Sequence, residues 1–146
     1  MIFKLKIDPN ASEEVIATVH RRTPLINEIE RLVSQEVTPD RLPGYREDEI
    51  IILALTDIEC FAVEREKTFA ICRDKQRYTV RRKLYELEEL LPENFERISK
   101  SAIGNMDQIV KFKVQLSGAV DAVFGSGYTE CISRRCFAEL KRRYGL

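Results

Sequence analysis

The segment NFERISKSAIGN, residues 94–105, decides how this 146-residue chain folds. Its first half, residues 95–100, predicts a strand, and the small polar and basic residues that follow Ile98 predict an exposed turn. Exposed Ser, Lys and Asn side chains on a turn are suitable donors to phosphate oxygens and base edges. The alternative is a plain polar connection, in which Asn105 closes a turn by bonding nearby backbone.

Short apolar runs on both sides of this segment predict further strands. Residues 50–55 are apolar and β-branched enough for a buried strand, and strands are expected over residues 58–63, 68–72, 77–80, 108–116, 119–124 and 128–132. Leucines at helical spacing from Leu84 predict a short central helix that Pro92 stops. Ser133 is a suitable N-cap for a terminal helix. The fold class is therefore mainly β with helices, an α+β arrangement.

The N-terminal part of the chain predicts a β-β-α extension. Ile2–Ile7 alternates imperfectly between apolar and polar residues, and Val15–Val19 is a candidate strand to pair with it. Thr23 as N-cap and Pro24 at the first helical position predict a helix that runs to about residue 35.

Proline and glycine then punctuate the chain. Pro39, Pro43 and Gly44 favour a break at this point. The expected domains are thus 1–44, the extension, and 45–146, a larger strand-rich domain.

Charge is distributed unevenly, although the formal net charge is zero. Residues 64–83 hold eight basic and three acidic side chains, and residues 134–143 hold five basic and one acidic. Local rather than total charge governs attraction to phosphate, so these clusters favour nucleic-acid binding. A solvated charged face is the alternative interpretation of such clusters.

Enzymatic, metal and cofactor motifs do not stand out. The four cysteines form no CxxC pair and the single histidine, His20, is distant in sequence, so we expect the thiols to be buried apolar groups rather than zinc ligands. Glu88, Glu89 and Glu93 are candidates for paired carboxylates, but neighbouring glutamates on a helix point to different sides. Gly125-Ser126-Gly127 is too short for a phosphate loop and predicts a turn. We therefore expect no enzyme, no cofactor and no small-molecule substrate.

The chain is also expected to stay in the cytoplasm. Its longest apolar run, residues 50–55, is far shorter than the ~20 residues that span a bilayer. Lysines interrupt the apolar N-terminus MIFKLKIDPN, which carries no small-residue cleavage site, unlike a signal peptide.

An ordered series of motifs resembles the LytTR-type DNA-binding domain of bacterial transcription regulators. The resemblance covers about residues 45–146, and its most specific parts are the block at 95–105 and the Ser-Arg-Arg ending. The matching residues, in order, are Asp57-Ile58, Lys67, Leu84-x-x-Leu87, Phe95-x-Arg97-Ile98-x-Lys100-Ser101-x-Ile103-x-Asn105 and Ser133-Arg134-Arg135. The resemblance implies an elongated fold of short antiparallel sheets with a helix beside them, in which loops enter successive major grooves of DNA.

The resemblance also implies particular DNA contacts. The resemblance assigns base contacts to Lys67, Lys100 and Arg135. Of these, Arg135 can make the bidentate contact that distinguishes guanine. The resemblance assigns contacts to the DNA backbone to residues near these three: Arg65, Arg82, Ser99, Ser101, Lys111 and Arg134. Each of these cations has the alternative interpretation of a solvated surface charge.

Three positions depart from the family pattern. Ala62 stands where an acidic residue is frequent, and Gly104 stands where a β-branched residue is usual, which is expected to loosen a turn. Cys136-Phe137 replaces the aromatic that usually follows Ser-Arg-Arg, which is expected to change how the last helix packs.

About 44 residues precede the resembling region, far fewer than a phosphoacceptor receiver domain needs. The chain thus resembles stand-alone LytTR regulators, which implies a regulatory or dimerising extension and control by a partner membrane protein. The expected function is a sequence-specific transcription regulator that binds double-stranded DNA as a homodimer on two half-sites. The alternative is a protein-interaction module that pairs through an edge strand, without DNA binding.

Overall fold

A computed structural model describes residues 2–12, 14–34 and 39–146. The chain forms two compact units, Met1–Val37 and Thr38–Leu146. The first unit contains one helix, α1 (Pro24–Ser34). The elements of the second unit are β1 (Arg41–Arg46), β2 (Glu49–Ala54), β3 (Ile58–Glu64), β4 (Lys67–Cys72), β5 (Arg77–Val80), α2 (Leu84–Leu90), β6 (Phe95–Ser99), β7 (Ala102–Asn105), β8 (Ile109–Val114), β9 (Val120–Phe124), β10 (Thr129–Ile132) and α3 (Arg134–Tyr144).

A seven-stranded antiparallel sheet organises the second unit, in the order β2-β1-β5-β4-β3-β7-β6. β3 lies inside the sheet between β4 and β7, and its residues from Ile58 to Ala62 are all buried. A strand covered on both faces usually has a continuous apolar sequence, and the buried part of β3, IECFA, is apolar except at one position. Glu59 is the exception, and it bonds to the second sheet.

The second sheet has three antiparallel strands in the order β10-β9-β8. Its turn at residues 125–127 is anchored to the start of β3. Both carboxylate oxygens of the buried Glu59 accept hydrogen bonds from Ser126, one from the backbone N–H at 2.8 Å and one from the hydroxyl at 2.6 Å. These charge-assisted bonds compensate a carboxylate that would otherwise be costly to bury.

The two faces of the large sheet carry separate apolar cores. On one face Phe61 packs against α2, and its ring centroid lies 5.8 Å from that of Phe95. On the other face Cys60 and Ala62 pack with Phe124 and Leu140 from the small sheet and α3. The alternation of side chains along β3 places neighbouring residues in different cores.

Both helices predicted in this unit are confirmed. α2 ends at Leu90, before Pro92. The Ser133 Oγ accepts a bond of 3.2 Å from the Cys136 N–H and caps α3, which Gly145 ends in the left-handed conformation at φ 68°. No helix in the described residues is long and apolar enough to cross a bilayer.

The two strands predicted in the N-terminal extension were wrong. Neither Ile2–Ile7 nor Val15–Val19 is a strand, whereas the helix that follows is confirmed at Pro24–Ser34. The apolar side chains of both segments are exposed. An isolated two-stranded hairpin has no face to bury and is marginally stable in water, so apolar alternation alone does not form one.

The expectation for residues 39–55 was also wrong in two respects. Pro43 and Gly44 lie inside β1 rather than in a break. β1 accommodates Pro43 because its ladder with β5 is one residue pair long, Tyr45 with Thr79. β2 is an edge strand rather than a buried one, and Ile50 and Ile52 are exposed.

Two smaller expectations need correction. Gly104 lies in β7, a strand that the sequence did not predict, where an added Cβ would meet Ile98 at 3.3 Å and Phe124 at 3.4 Å. Close packing therefore favours glycine here, and no turn is loosened. Cys60 and Cys72 are buried as expected, but Cys131 is exposed because it points outward from β10.

Candidate nucleic-acid interface

Several turns meet at one end of the large sheet. β3 runs antiparallel to β4 and β7, so the β3–β4 and β6–β7 turns lie side by side, and β5 ends beside the start of β4. The start of α3 joins this group. We call this surface the turn edge, and it consists of residues 65–67, 81–83, 99–101 and 134–135.

The β3–β4 turn is narrow. Glu64 pairs with Lys67, and the two residues between them, Arg65 and Glu66, have φ of 50° and 66°. Two left-handed residues in a two-residue hairpin loop make the type I′ geometry, which Asn-Gly adopts most easily. Arg and Glu adopt it at a cost of order 1–2 kcal/mol per residue, and the tight turn presents Lys67 at the sheet end.

Hydrogen bonds hold the β6–β7 turn in place. The Ser99 Oγ accepts from the Ser101 N–H at 3.2 Å, and the Ser101 carbonyl accepts from the Val63 N–H at 2.8 Å. Arg97 donates from Nε to the Ser99 carbonyl at 2.7 Å and from Nη2 to the Lys100 carbonyl at 2.6 Å. Lys100 is therefore presented from a turn whose carbonyls are already bonded.

Arg97 was not among the predicted contact residues. Its Nη1 lies 3.3 Å from Glu88 Oε2, so a carboxylate from α2 orients the guanidinium that bonds the turn. The sequence offered two signals, an arginine inside a predicted strand and the place of Arg97 in the motif at residues 95–105. Its role depends on where the carbonyls of residues 99 and 100 point, which a sequence pattern does not show.

The start of α3 lies against the end of β6. The Ser133 N–H donates to the Ile98 carbonyl at 2.8 Å, which brings exposed Arg134 and Arg135 beside the turn at residues 99–101. The first turn of α3 contains no acidic residue. Cations at a helix N-terminus are disfavoured by about 0.3–1 kcal/mol, and an anionic ligand would offset that cost.

The turn edge therefore collects all but one of the predicted contact residues. The exception is Lys111, which pairs with Val123 in β8. That ladder ends at the turn containing Ser126, which bonds Glu59 at the start of β3. The start of β3 is the opposite end of the large sheet, so Lys111 lies away from the turn edge.

The cations of the turn edge are mostly free of carboxylates. Within the described residues, no ion pair of 4.0 Å or less involves Lys67, Lys100 or Arg135. Arg82 lies 4.0 Å from Glu86, the limit of a salt bridge. The guanidinium of Arg81, which was not a predicted contact, lies 3.9 Å from the centroid of the Tyr45 ring. These positive groups are available to an anionic ligand.

The described part of the chain contains no candidate metal-binding site. No three His, Cys, Asp or Glu side chains there come together as metal ligands. Burial raises the pKa of Cys72 to about 12 and also raises the pKa of Cys60, so both remain protonated thiols at neutral pH.

The comparisons with known proteins agree with this architecture. A family model described as the LytTr DNA-binding domain matches residues 48–145. The chain belongs to this family. The LytTr family comprises DNA-binding domains of transcription regulators and is not an enzyme family.

Relatives extend the similarity beyond the LytTr domain. The chain is 31% identical over 150 residues to an uncharacterized HTH-type transcriptional regulator of Staphylococcus aureus (strain bovine RF122 / ET3-1), covering 99% of this chain and 100% of that protein. A similarly named protein of Staphylococcus aureus (strain MSSA476) is 33% identical over 105 residues, 72% of this chain and 71% of that protein. The extension thus has counterparts in full-length relatives.

A solved structure shows the same fold. The LytTr DNA-binding domain of a protein described as a methyl-accepting/DNA response regulator from Bacillus cereus superposes with a TM-score of 0.68 at 18% identity, covering 74% of this chain and 99% of that chain. This likeness confirms the expected fold class, and the match to the family model confirms the expected family. A helix-turn-helix needs two helices joined by a short turn, whereas α1, α2 and α3 in the described residues are separated by strands.

We expect Arg97→Ala to weaken DNA binding although Arg97 need not touch DNA. Without its two bonds to the turn carbonyls, residues 99–101 must be ordered on binding, which costs about 1–2 kcal/mol, or roughly 5- to 30-fold in affinity. Fluorescence anisotropy with a selected DNA fragment measures the loss. Arg97→Lys retains the charge but not the paired donation, so full affinity in that variant would contradict a role for the bonds.

Proposed function

We propose that the chain is a sequence-specific transcription regulator that acts in the cytoplasm and binds double-stranded DNA through the turn edge, as a homodimer on paired half-sites. The observation that supports this most is that Lys67 at the start of β4, Lys100 in the β6–β7 turn and Arg135 in the first turn of α3 lie at one end of the large sheet. None of the three has an ion-pair partner in the described residues. Turns that project from a sheet end can enter the ~12 Å major groove, which offers a distinct pattern of donors and acceptors for each base pair.

Different residues of the turn edge suit different parts of the duplex. Arg135 has the forked donors that match guanine O6 and N7, and Lys67 and Lys100 can reach base edges from their turns. The remaining groups suit phosphates: Arg65, Arg82, Arg134 and the hydroxyls of Ser99 and Ser101. Lys111 would contact a phosphate only where the duplex extends along the small sheet.

The extension is proposed to regulate or dimerise the protein rather than to bind DNA. Residues 1–44 hold six basic and seven acidic side chains, and this nearly balanced charge offers little attraction to phosphates. We keep a controlling membrane protein as a proposed partner, and we propose no small-molecule substrate.

Selection of bound sequences from a random DNA pool tests the proposed function. We expect a repeated motif to be recovered, and the affinity for it to fall steeply with salt, because each neutralised phosphate releases about 0.9 counterion. Recovery of no motif, with no retardation of DNA at physiological salt, would refute the proposal. That outcome would favour the alternative, a protein-interaction module.

A further inference from the structure

The free edge of the large sheet has only one of the features that usually protect an edge strand, the charged Glu49 at the start of β2. β2 contains no lysine or proline, and its register with β1 is unbroken from Glu49 to Ala54. Natural edge strands avoid pairing through charged side chains, prolines or bulges. Here Ile50 and Ile52 are 65% and 60% exposed on one face of the strand. β2 therefore offers unpaired backbone groups beside an apolar surface.

The other edge of the same sheet is protected. β6 accepts a backbone bond from Ser133, and its Glu96 carboxylate receives bonds from the C-terminal part of α3, from Arg143 at 2.8 Å and from Tyr144 at 3.4 Å. Within the described residues, β2 has no comparable contact on its free edge.

The N-terminal segment, residues 2–7, has a side-chain pattern complementary to that edge. Phe3, Leu5 and Ile7 alternate with Lys4 and Lys6, and the three apolar side chains are 74–86% exposed. When extended, this segment has Phe3, Leu5 and Ile7 on one face and Ile2, Lys4 and Lys6 on the other. Residues 2–7 form no helix or strand within the first unit.

We propose that residues 2–7 of one copy add as an antiparallel strand to the β2 edge of a second copy, and that the exchange is reciprocal in a dimer. In the register that pairs Leu5 with Ile50, Phe3 faces Ile52 on one side of the strand. On the other side Lys6 faces Glu49 and Lys4 faces the half-buried Ile51. Opposite charges directly across two strands stabilise the pairing. Asp48 and Glu47 lie next along the β1–β2 turn and add negative charge near Lys6.

Charge also argues against one competing arrangement. If two copies of residues 2–7 paired with each other about Leu5, Lys4 of one copy would face Lys6 of the other at two places. Like charges directly opposite are destabilising. The acidic surroundings of β2 favour it over a second N-terminal segment.

A charge exchange tests the register. We expect Glu49→Lys and Lys6→Glu each to raise the dimer dissociation constant, measured by sedimentation equilibrium, by roughly threefold or more. A chain carrying both substitutions should recover the wild-type value. Both positions lie on the surface, so the fold is retained, which circular dichroism checks. Equal weakening in the single and double variants, or a monomeric wild type at high micromolar concentration, would overturn the proposal.

A disulfide between differently tagged chains tests which copy supplies the strand. Leu5→Cys and Ile50→Cys chains, each with the exposed Cys131 replaced by serine, are mixed and oxidised. Directly opposed positions place the Cβ atoms about 4.5–5.5 Å apart, close to disulfide geometry. We expect the mixed disulfide to predominate. Predominance of Ile50→Cys pairs would overturn the proposal and indicate β2–β2 pairing, and closure within a doubly substituted single chain would overturn the exchange between copies.

The inference rests on the dimer in the proposed function, but the two can fail separately. If residues 2–7 do not exchange, the wild type still binds selected DNA. If the proposed function is wrong, no motif is selected, whether or not the mixed disulfide forms. A Glu49→Lys chain that is monomeric but still retards a single half-site would separate assembly from DNA contact.

Discussion

Arg135→Ala is expected to weaken binding of a selected DNA fragment by about 1–3 kcal/mol, or roughly 5- to 150-fold, and to relax the preference at one base pair. Arg135 lies in the first turn of α3, exposed and beside the β6–β7 turn. Its planar guanidinium can bond two guanine acceptors at once, which alanine cannot replace. Repeating the selection with the variant shows which position has lost its preference.

Arg142 provides a matched control in the same helix. It is exposed in the last turn of α3, where a cation is favoured by the helix dipole, and it lies far along the helix from the turn edge. Arg142→Ala should lower affinity little and leave the selected motif unchanged. Equal loss in the two variants would indicate a general effect of charge, and an unaffected Arg135→Ala would remove the proposed base contact.

Asn105→Ala is expected to destabilise the fold by about 3 kcal/mol, because three hydrogen bonds worth ~1 kcal/mol each are lost. The buried amide donates from Nδ2 to the Ile58 carbonyl at 2.9 Å. Its Oδ1 accepts from Asn94 Nδ2 at 2.9 Å and from the Asp107 N–H at 3.1 Å. The free energy of unfolding in urea measures the effect.

Asn94→Ala removes only one of those three bonds, so about 1 kcal/mol is expected from it. Asn105→Asp keeps the two acceptor bonds but loses the donation to the Ile58 carbonyl, and it buries a carboxylate facing that oxygen, so a comparable loss of stability is expected. A loss below about 1 kcal/mol in Asn105→Ala would show that water replaces the amide, against the full burial of this side chain.

The segment at residues 94–105 shows which local features a sequence pattern predicts and which it does not. The strand over β6, the exposed turn at residues 99–101 and the local turn closed by Asn105 were all predictable, and Asn105 does accept from the Asp107 N–H. β7 was not predicted, because Ala102 and Gly104 have weak strand propensity. Gly104 is small because Ile98 and Phe124 pack closely over it. The contact with Phe124 joins residues distant in sequence, which a local pattern does not show.

The misplacement of β2 has a different cause. A run such as EIIILA predicts a strand, but periodicity cannot tell a strand covered on both faces from an edge strand with apolar residues on its open side. Only the pairing order distinguishes them. The N-terminal segments present the same ambiguity, because apolar alternation describes what a segment can pair with and not whether a partner lies within the same chain.

The positions of the contact candidates predict how this protein and its relatives diverge. The side chains of Lys67, Lys100 and Arg135 are exposed at the ends of strands and a helix. Lys67 and Lys100 take part in the ladder and the turn through their backbones, and the caps and cores behind them involve the side chains of other residues. Under the proposed function, we expect substitutions at these three positions to alter the preferred operator at little thermodynamic cost to folding. Target preference can therefore evolve faster than architecture, and two regulators with superimposable folds need not share a promoter.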